Sequence, residues 1–286
     1  MSVWVEAARP RTLPASVAPV AVGTAAADRF IAWRFAAALV VALALQVGVN
    51  YANDYFDGVR GIDTHERVGP RRVVAAGLVA PAAMRSAMLA AFLVAGLSGL
   101  ALAAAAGWEL LAVGAAALLA AAGYSGGPRP YASAGLGEAA VFVFFGLIAT
   151  AGSQYVQDER LASLAVAAAL PVGLLVTAIL VANNLRDIAT DRVSGKVTLA
   201  VRLGDARTRS LYLTLVVAAF ALTGLVAAVA ARPWPLLALA ALPAAVPVTR
   251  TVRTAREPQR LIAALVGTAR LLLVYALLLA VGLAVR

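Results

Sequence analysis

Residues 35–63 read F-A-A-A-L-V-V-A-L-A-L-Q-V-G-V-N-Y-A-N-D-Y-F-D-G-V-R-G-I-D. The stretch over residues 35–56 gives about the 20 residues that a helix needs to cross the hydrocarbon core of a bilayer. Polar residues then enter at helical spacing. Asn50, Asp54 and Asp57 fall at i, i+4 and i+7, one stripe on one helix face. A second stretch, residues 178–196, follows the same plan: A-I-L-V-A-N-N-L-R-D-I-A-T-D-R-V-S-G-K. Here Asn183, Asp187 and Asp191 fall at i, i+4 and i+8. Each segment contains D-x-x-x-G, with Asp57 before Gly61 and Asp191 before Gly195, a weak internal repeat about 134 residues apart. The repeat points to two related half-bundles.

The rest of the chain supports a membrane reading. Of 286 residues, 63% are hydrophobic and 13% charged, about half the charged share of a soluble domain. Apolar runs predict about nine transmembrane helices, near 13–28, 35–56, 82–106, 108–124, 135–153, 161–185, 209–230, 234–249 and 261–284. The fold class expected is an all-α integral membrane bundle around a central cavity, as one domain over residues 1–286. No cleavable signal peptide is evident, so the first run reads as a mature helix. The chain has no Cys and a single His, His65 in a charged loop, which excludes disulfides, thiolate sites and His-based metal centres. Cations sort by side. Eighteen lie at the N-terminus and in the loops after spans two, four, six and eight, or on their flanks. Five lie opposite: Arg29, Arg34, Arg160, Arg232 and Arg286. The positive-inside rule then places the N-terminus in the cytoplasm and the C-terminus outside. The net charge of +10 reflects that orientation and anionic lipid, not nucleic acid.

Both acidic segments end their helices on the expected cytoplasmic side, at the negative pole of the helix dipole. Carboxylates there repel the helix end and each other, so a cation must compensate. Hard oxygen donors without His or Cys point to Mg²⁺, which takes one or two carboxylates per ion plus substrate phosphates. Arg71, Arg72, Arg186, Arg192 and Lys196 (the only Lys) stand nearby to hold phosphate oxygens. The plain alternative is that these acids pair with loop arginines and only fix topology. Two segments in register, with a Lys after the second, weigh against it.

These residues resemble the UbiA superfamily of intramembrane aromatic prenyltransferases. Asn53, Asp54 and Asp57 match its first motif, N-D-x-x-D-x-x-x-D, and Asp187 with Asp191 match its second, D-x-x-x-D. The third Asp of the first motif would fall at Gly61; this chain has Asp63 instead. That spacing is the one expected in the menaquinone branch. A-R-P-R-T-L-P at 8–14, G-P-R-R-V-V at 69–74, Y-S-G-G-P-R-P-Y at 124–131, G-L-G-E at 135–138 and G-K-V-T-L-A-V-R-L-G at 195–204 point the same way. The resemblance implies transfer of a polyprenyl group from polyprenyl diphosphate to 1,4-dihydroxy-2-naphthoate. Carbon dioxide and diphosphate leave, and demethylmenaquinone results. It implies two Mg²⁺ ions on Asp54, Asp57, Asp187 and Asp191, with Asn50, Asn53, Asn183 and Asp63 as further ligands. Arg71, Arg72, Arg129, Lys196 and the three Asn residues are the expected diphosphate contacts. The prenyl tail points toward lipid.

Other residues stay open between two readings. Arg9 and Arg11 are topology determinants or contacts to substrate phosphate or carboxylate. Tyr124, Arg129 and Tyr131 form a tight Gly/Pro turn or a lid on the acceptor. Phe145 and Tyr155 pack and anchor the bundle, or face a developing allyl cation. Arg270, inside the last span, snorkels or meets a cavity. Two rival functions are a related transferase with another acceptor, such as hydroxybenzoate, and a transporter built from paired half-bundles. Acids at the rim rather than the bilayer midplane disfavour the transporter.

Overall fold

The computed structural model describes residues 2–61, 71–128 and 130–285. Asp63, His65 and Arg129 lie outside the described residues. Among the described residues every regular element is helical. The helices are α1 (Val3–Ala8), α2 (Pro14–Ala25), α3 (Ala32–Val59), α4 (Pro81–Ala106) and α5 (Leu110–Ser125). They continue with α6 (Gly137–Asp158), α7 (Ser163–Val193), α8 (Leu199–Ala230), α9 (Trp234–Thr254) and α10 (Pro258–Ala284).

Seven of these, α3, α4 and α6–α10, are long and apolar enough to cross a membrane. The shorter apolar helices α2 and α5 fall on the first and fourth expected spans. Three features depart from the expected helices. First, α8 starts at Leu199 rather than 209, because Thr198 caps it by accepting the Val201 amide at 3.4 Å. Its charged first turns, broken at Gly204, carry no apolar signal. Second, α9 begins as a 3₁₀ stretch, Trp234–Ala241, next to Pro233 and Pro235. Third, α6 carries a π-helical stretch, Phe142–Ile148.

The core sits around α7. In its most apolar window 72% of residues are buried, against 17% for α3. The cause is composition: Ala165, Ala167, Ala168, Ala169, Gly173, Ala178 and Ala182 let neighbouring helices approach closely. A Cβ on Gly146 of α6 would stand 2.5 Å from the Gly173 Cα, so that crossing requires glycine. Helices α2, α6, α8 and α10 pack on α7, while α3, α4 and α5 form the other wall. Two buried hydroxyl pairs tie α8 to α10: Tyr212 with Thr268 and Thr223 with Tyr275, each at 2.8 Å. Such bonds contribute about 0.6 kcal/mol each.

The end opposite the acidic segments is closed by a polar lock. Arg34 is buried. It donates to the Val156 carbonyl at 2.9 Å, the Ala105 carbonyl at 2.7 Å and Glu159 at 2.8 Å, joining α3, α4 and α6. The Arg34 hydrogen bond holds the Glu159 carboxyl below the usual range. Asp158 accepts the amide N–H groups of Asp28 and Arg29.

Candidate active site

A cavity of about 560 Å³ opens between the two walls. Its deep part is apolar, lined by residues such as Leu45, Leu100, Leu118, Phe144 and Ile148. Its mouth is polar, and the last turns of α3 and α7 meet there. Asn50, Asn53 and Asp57 line it from α3, and Asn183, Asp187 and Asp191 from α7.

One ion pair joins the two segments. Lys196 donates to Asp57 Oδ2 at 2.8 Å, across 139 residues of chain. Local structure puts it there. Gly195 takes φ 75, the left-handed conformation that ends helices. The Lys196 amide then bonds back to the Asp191 carbonyl at 2.8 Å, and the side chain turns toward α3. Gly61 also has positive φ, 64, so both glycines of the D-x-x-x-G repeat are helix stops. Arg72 gives Asp57 a second cation at 3.1 Å, and both partners are almost fully buried. Buried acids of this kind persist only when paired.

Asp187 is held by its sequence neighbour. Arg186 Nε and Nη2 reach its two oxygens at 2.7 and 2.6 Å, and Nη2 also donates to Asn183 Oδ1 at 3.0 Å. This fork is bidentate, the strongest arrangement for the pair. Arg186 was expected on phosphate and does not line the cavity; its guanidinium is committed to Asp187. Thr198 donates to Asp191 at 3.5 Å. Asn50 donates to the Ala8 carbonyl at 2.8 Å, which seats the N-terminal turn on α3. Arg9 follows, at φ 54, and lines the mouth. Ser125 donates to Asn53, and Arg60 donates to the carbonyls of Ser125, at 2.9 Å, and Gly127. Together they clamp the end of α5 to α3.

Several expected residues lie elsewhere. Asp54 is buried but does not line the cavity. Its oxygens accept the backbone N–H groups of Val73 at 3.2 Å and Val74 at 2.9 Å, which anchors the segment carrying Arg72. Arg71 is exposed and pairs with Glu6 at 3.4 Å. Arg11 and Arg192 are exposed, and neither lines the cavity. Tyr155 sits toward the polar lock, where its carbonyl accepts the Glu159 amide. Arg270 is exposed on α10, away from the cavity. Tyr124, Tyr131 and Phe145 do line it. The two tyrosine rings meet edge to face at 5.5 Å. Tyr131 donates to the Ala120 carbonyl at 2.7 Å, and burial pushes its phenol up to about 12, so it stays a neutral donor.

Sequence reading assigned no role to Thr12, Gln46, Asn184 or Glu138, although the motifs at 8–14 and 135–138 contain Thr12 and Glu138. Gln46 had a signal, since it extends the Asn50 stripe by one turn and bonds Thr12 at 3.2 Å. Asn184 and Glu138 meet across α7 and α6 at 2.9 Å, which no local pattern encodes.

Among the described residues no three acids stand close enough to cage a metal ion. The donor set still fits Mg²⁺. It is all hard oxygen, from Asp57, Asp187, Asp191 and three amides, and that ion takes few protein carboxylates and completes its shell with phosphate and water.

An all-helical membrane fold with an acidic, amide-rich mouth over an apolar cavity defines a class, and the chain belongs to the UbiA prenyltransferase family, which matches residues 16–274. The relatives are specific. The chain is 47% identical over 284 residues to the 1,4-dihydroxy-2-naphthoate octaprenyltransferase of Mycobacterium tuberculosis, covering 98% of this chain and 96% of that one. It is 42% identical over 218 residues to the Escherichia coli protein of the same name, covering 72% and 70%. In fold it is similar to a UbiA homolog from Archaeoglobus fulgidus bound to GPP and Mg²⁺, with TM-score 0.69 at 12% identity, covering 98% and 100%.

Proposed function

We propose that this protein transfers a polyprenyl group from polyprenyl diphosphate to 1,4-dihydroxy-2-naphthoate, releasing diphosphate and CO₂ and giving the prenylated naphthoquinol, the reduced form of demethylmenaquinone. The observation that carries the site assignment is the Lys196–Asp57 ion pair, which brings the two acidic helix ends together over the apolar cavity. The acceptor is supported by the relatives of that name.

The allylic C–O bond breaks and its electron pair leaves on diphosphate. A ring carbon forms the new C–C bond, and the bond to the carboxylate breaks to restore the aromatic ring. No net proton is lost. Mg²⁺, two ions in this reading, supplies charge neutralisation and a template for the departing diphosphate. Asp57, Asp187 and Asp191 would hold it at the mouth, with Asn50, Asn53 and Asn183 beside them. Asp54 serves the same centre by fixing the segment with Arg72. Lys196, Arg72 and Arg9 face the diphosphate, and Arg129 belongs with them by motif. These groups stabilise charge that develops only as the bond breaks, where fixed dipoles act best. The apolar cavity holds the tail and excludes water from the allylic centre. Tyr124, Tyr131 and Phe145 bound the acceptor side.

We read residues 1–286 as one domain of two halves, each giving one acidic segment. In this reading α2 and α5 cross as well as the seven long helices, for nine crossings. The cation count supports a mouth open to the cytoplasm of a bacterial plasma membrane.

Purified protein in detergent, given Mg²⁺ and a prenyl diphosphate, is tested with dihydroxynaphthoate, hydroxybenzoate and homogentisate. Prenylated naphthoquinol from the first acceptor is expected. Product from another acceptor alone overturns the reading.

A further inference from the structure

Glu138 has no task in the account above. It is the second residue of α6, only 6% exposed. Its Oε1 accepts the side-chain amide of Asn184 at 2.9 Å. Its Oε2 is buried and takes no hydrogen bond from another residue. A buried carboxyl with one oxygen unsatisfied is costly to keep, so packing alone does not account for it. Asn184 lines the cavity beside Asn183. Only the amide nitrogen can donate to Glu138, so the bond dictates which way the amide points, and its carbonyl oxygen is turned from Glu138. Tyr124 borders the same corner. Its hydroxyl stands 3.6 Å from where a Cβ on Gly137 would be, and it lines the cavity as well.

We propose that Glu138 is a positioning residue for the aromatic acceptor: it holds the Asn184 amide with its carbonyl oxygen toward the cavity, where it accepts a hydrogen bond from a ring hydroxyl. The proposal rests on the aromatic prenyl transfer proposed above. Donating to a fixed acceptor leaves the hydroxyl oxygen more electron-rich and makes the ring a better nucleophile. It also sets the ring's rotation in the cavity. No proton is transferred, so the balance of the reaction is unchanged.

The full-length protein in detergent is assayed with Mg²⁺, geranyl diphosphate and 1,4-dihydroxy-2-naphthoate. Glu138→Ala is expected to lower kcat/KM for the acceptor about 10–100-fold, the loss of one well-placed hydrogen bond. KM for geranyl diphosphate stays within about twofold, which also reports folding. Glu138→Gln keeps an oxygen for the Asn184 amide and recovers most of the loss. Asn184→Ala matches Glu138→Ala, and the double variant is no worse than Asn184→Ala alone. The wild type prefers the dihydroxy acceptor over 1-hydroxy-2-naphthoate, and that preference narrows in Glu138→Ala. Unchanged acceptor kinetics, an equal rise in donor KM, or additive effects in the double variant each overturn the proposal. If Glu138→Ala does not fold, Glu138→Gln and Asn184→Ala decide it by the same split. If the wild type uses another phenol, the acceptor reading fails separately and the variants are scored on that phenol.

Discussion

Asp57 takes two cations, Lys196 and Arg72, at 2.8 and 3.1 Å. Each pairs a carboxylate with a group that also suits phosphate. Lys196→Met removes one charge-assisted bond worth about 1.5–3 kcal/mol, so kcat with a prenyl diphosphate should fall at least about tenfold; a steady-state assay at saturating donor checks it. Asp54→Ala should act differently. It frees the amides of Val73 and Val74, so Arg72 loses its seat and donor KM rises along with the fall in kcat. A variant that lost kcat alone would place Asp54 on the metal instead. Much of this was legible. The stripe of Asn50, Asp54 and Asp57 follows from helical spacing. What spacing cannot tell is that neighbours on one face part company. Asp54 and Asp57 differ by only about 60° around the helix, yet one faces a returning segment and the other the cavity. That choice belongs to where residues 72–74 dock, a contact distant in sequence. Lys196 on Asp57 is of the same kind, and only its identity as the sole Lys, after the second motif, gave a hint.

The helices themselves were readable because each apolar run must bury or face lipid. The interruptions were not. The π stretch Phe142–Ile148 lies in an unbroken apolar run, with no Pro to mark it. It places Phe144, Phe145 and Ile148 on the cavity wall, as π segments often do at functional sites. It contains Gly146, whose crossing with Gly173 brings the two backbones close together. Gly173→Leu therefore overpacks α6 on α7, and a loss of about 1–3 kcal/mol or more is expected, read as a lower melting temperature in detergent. Gly195 was legible as a motif residue, and its reason is now physical. An alanine at φ 75 costs about 1–2 kcal/mol and displaces Lys196. Gly195→Ala should lower turnover by more than its modest effect on melting suggests.

At the scale of the molecule, charge is divided between two ends. One end carries the acidic mouth, and the other the Arg34 lock. Composition alone separated them, because cations sort by loop in alternation along the chain. The absence of native Cys makes the division easy to test. A single Cys at Ser194 is expected to resist an impermeant maleimide in intact cells and to react after permeabilisation. One at Arg160 should react in both; the reverse pattern inverts the topology. The cavity between the two walls was not legible in shape, since those walls come from helices far apart in sequence. Its chemistry was, because acids and amides in apolar runs have few other uses. In the proposed reaction this mouth couples departure of diphosphate to attack by a carboxylated ring. Counting labelled CO₂ from carboxyl-labelled 1,4-dihydroxy-2-naphthoate against diphosphate released tests that most directly. Equal amounts, dependent on Mg²⁺ and lost in Asp187→Asn, are predicted. Diphosphate release without CO₂ in the presence of that acceptor, or turnover undiminished in Asp187→Asn, would contradict the account.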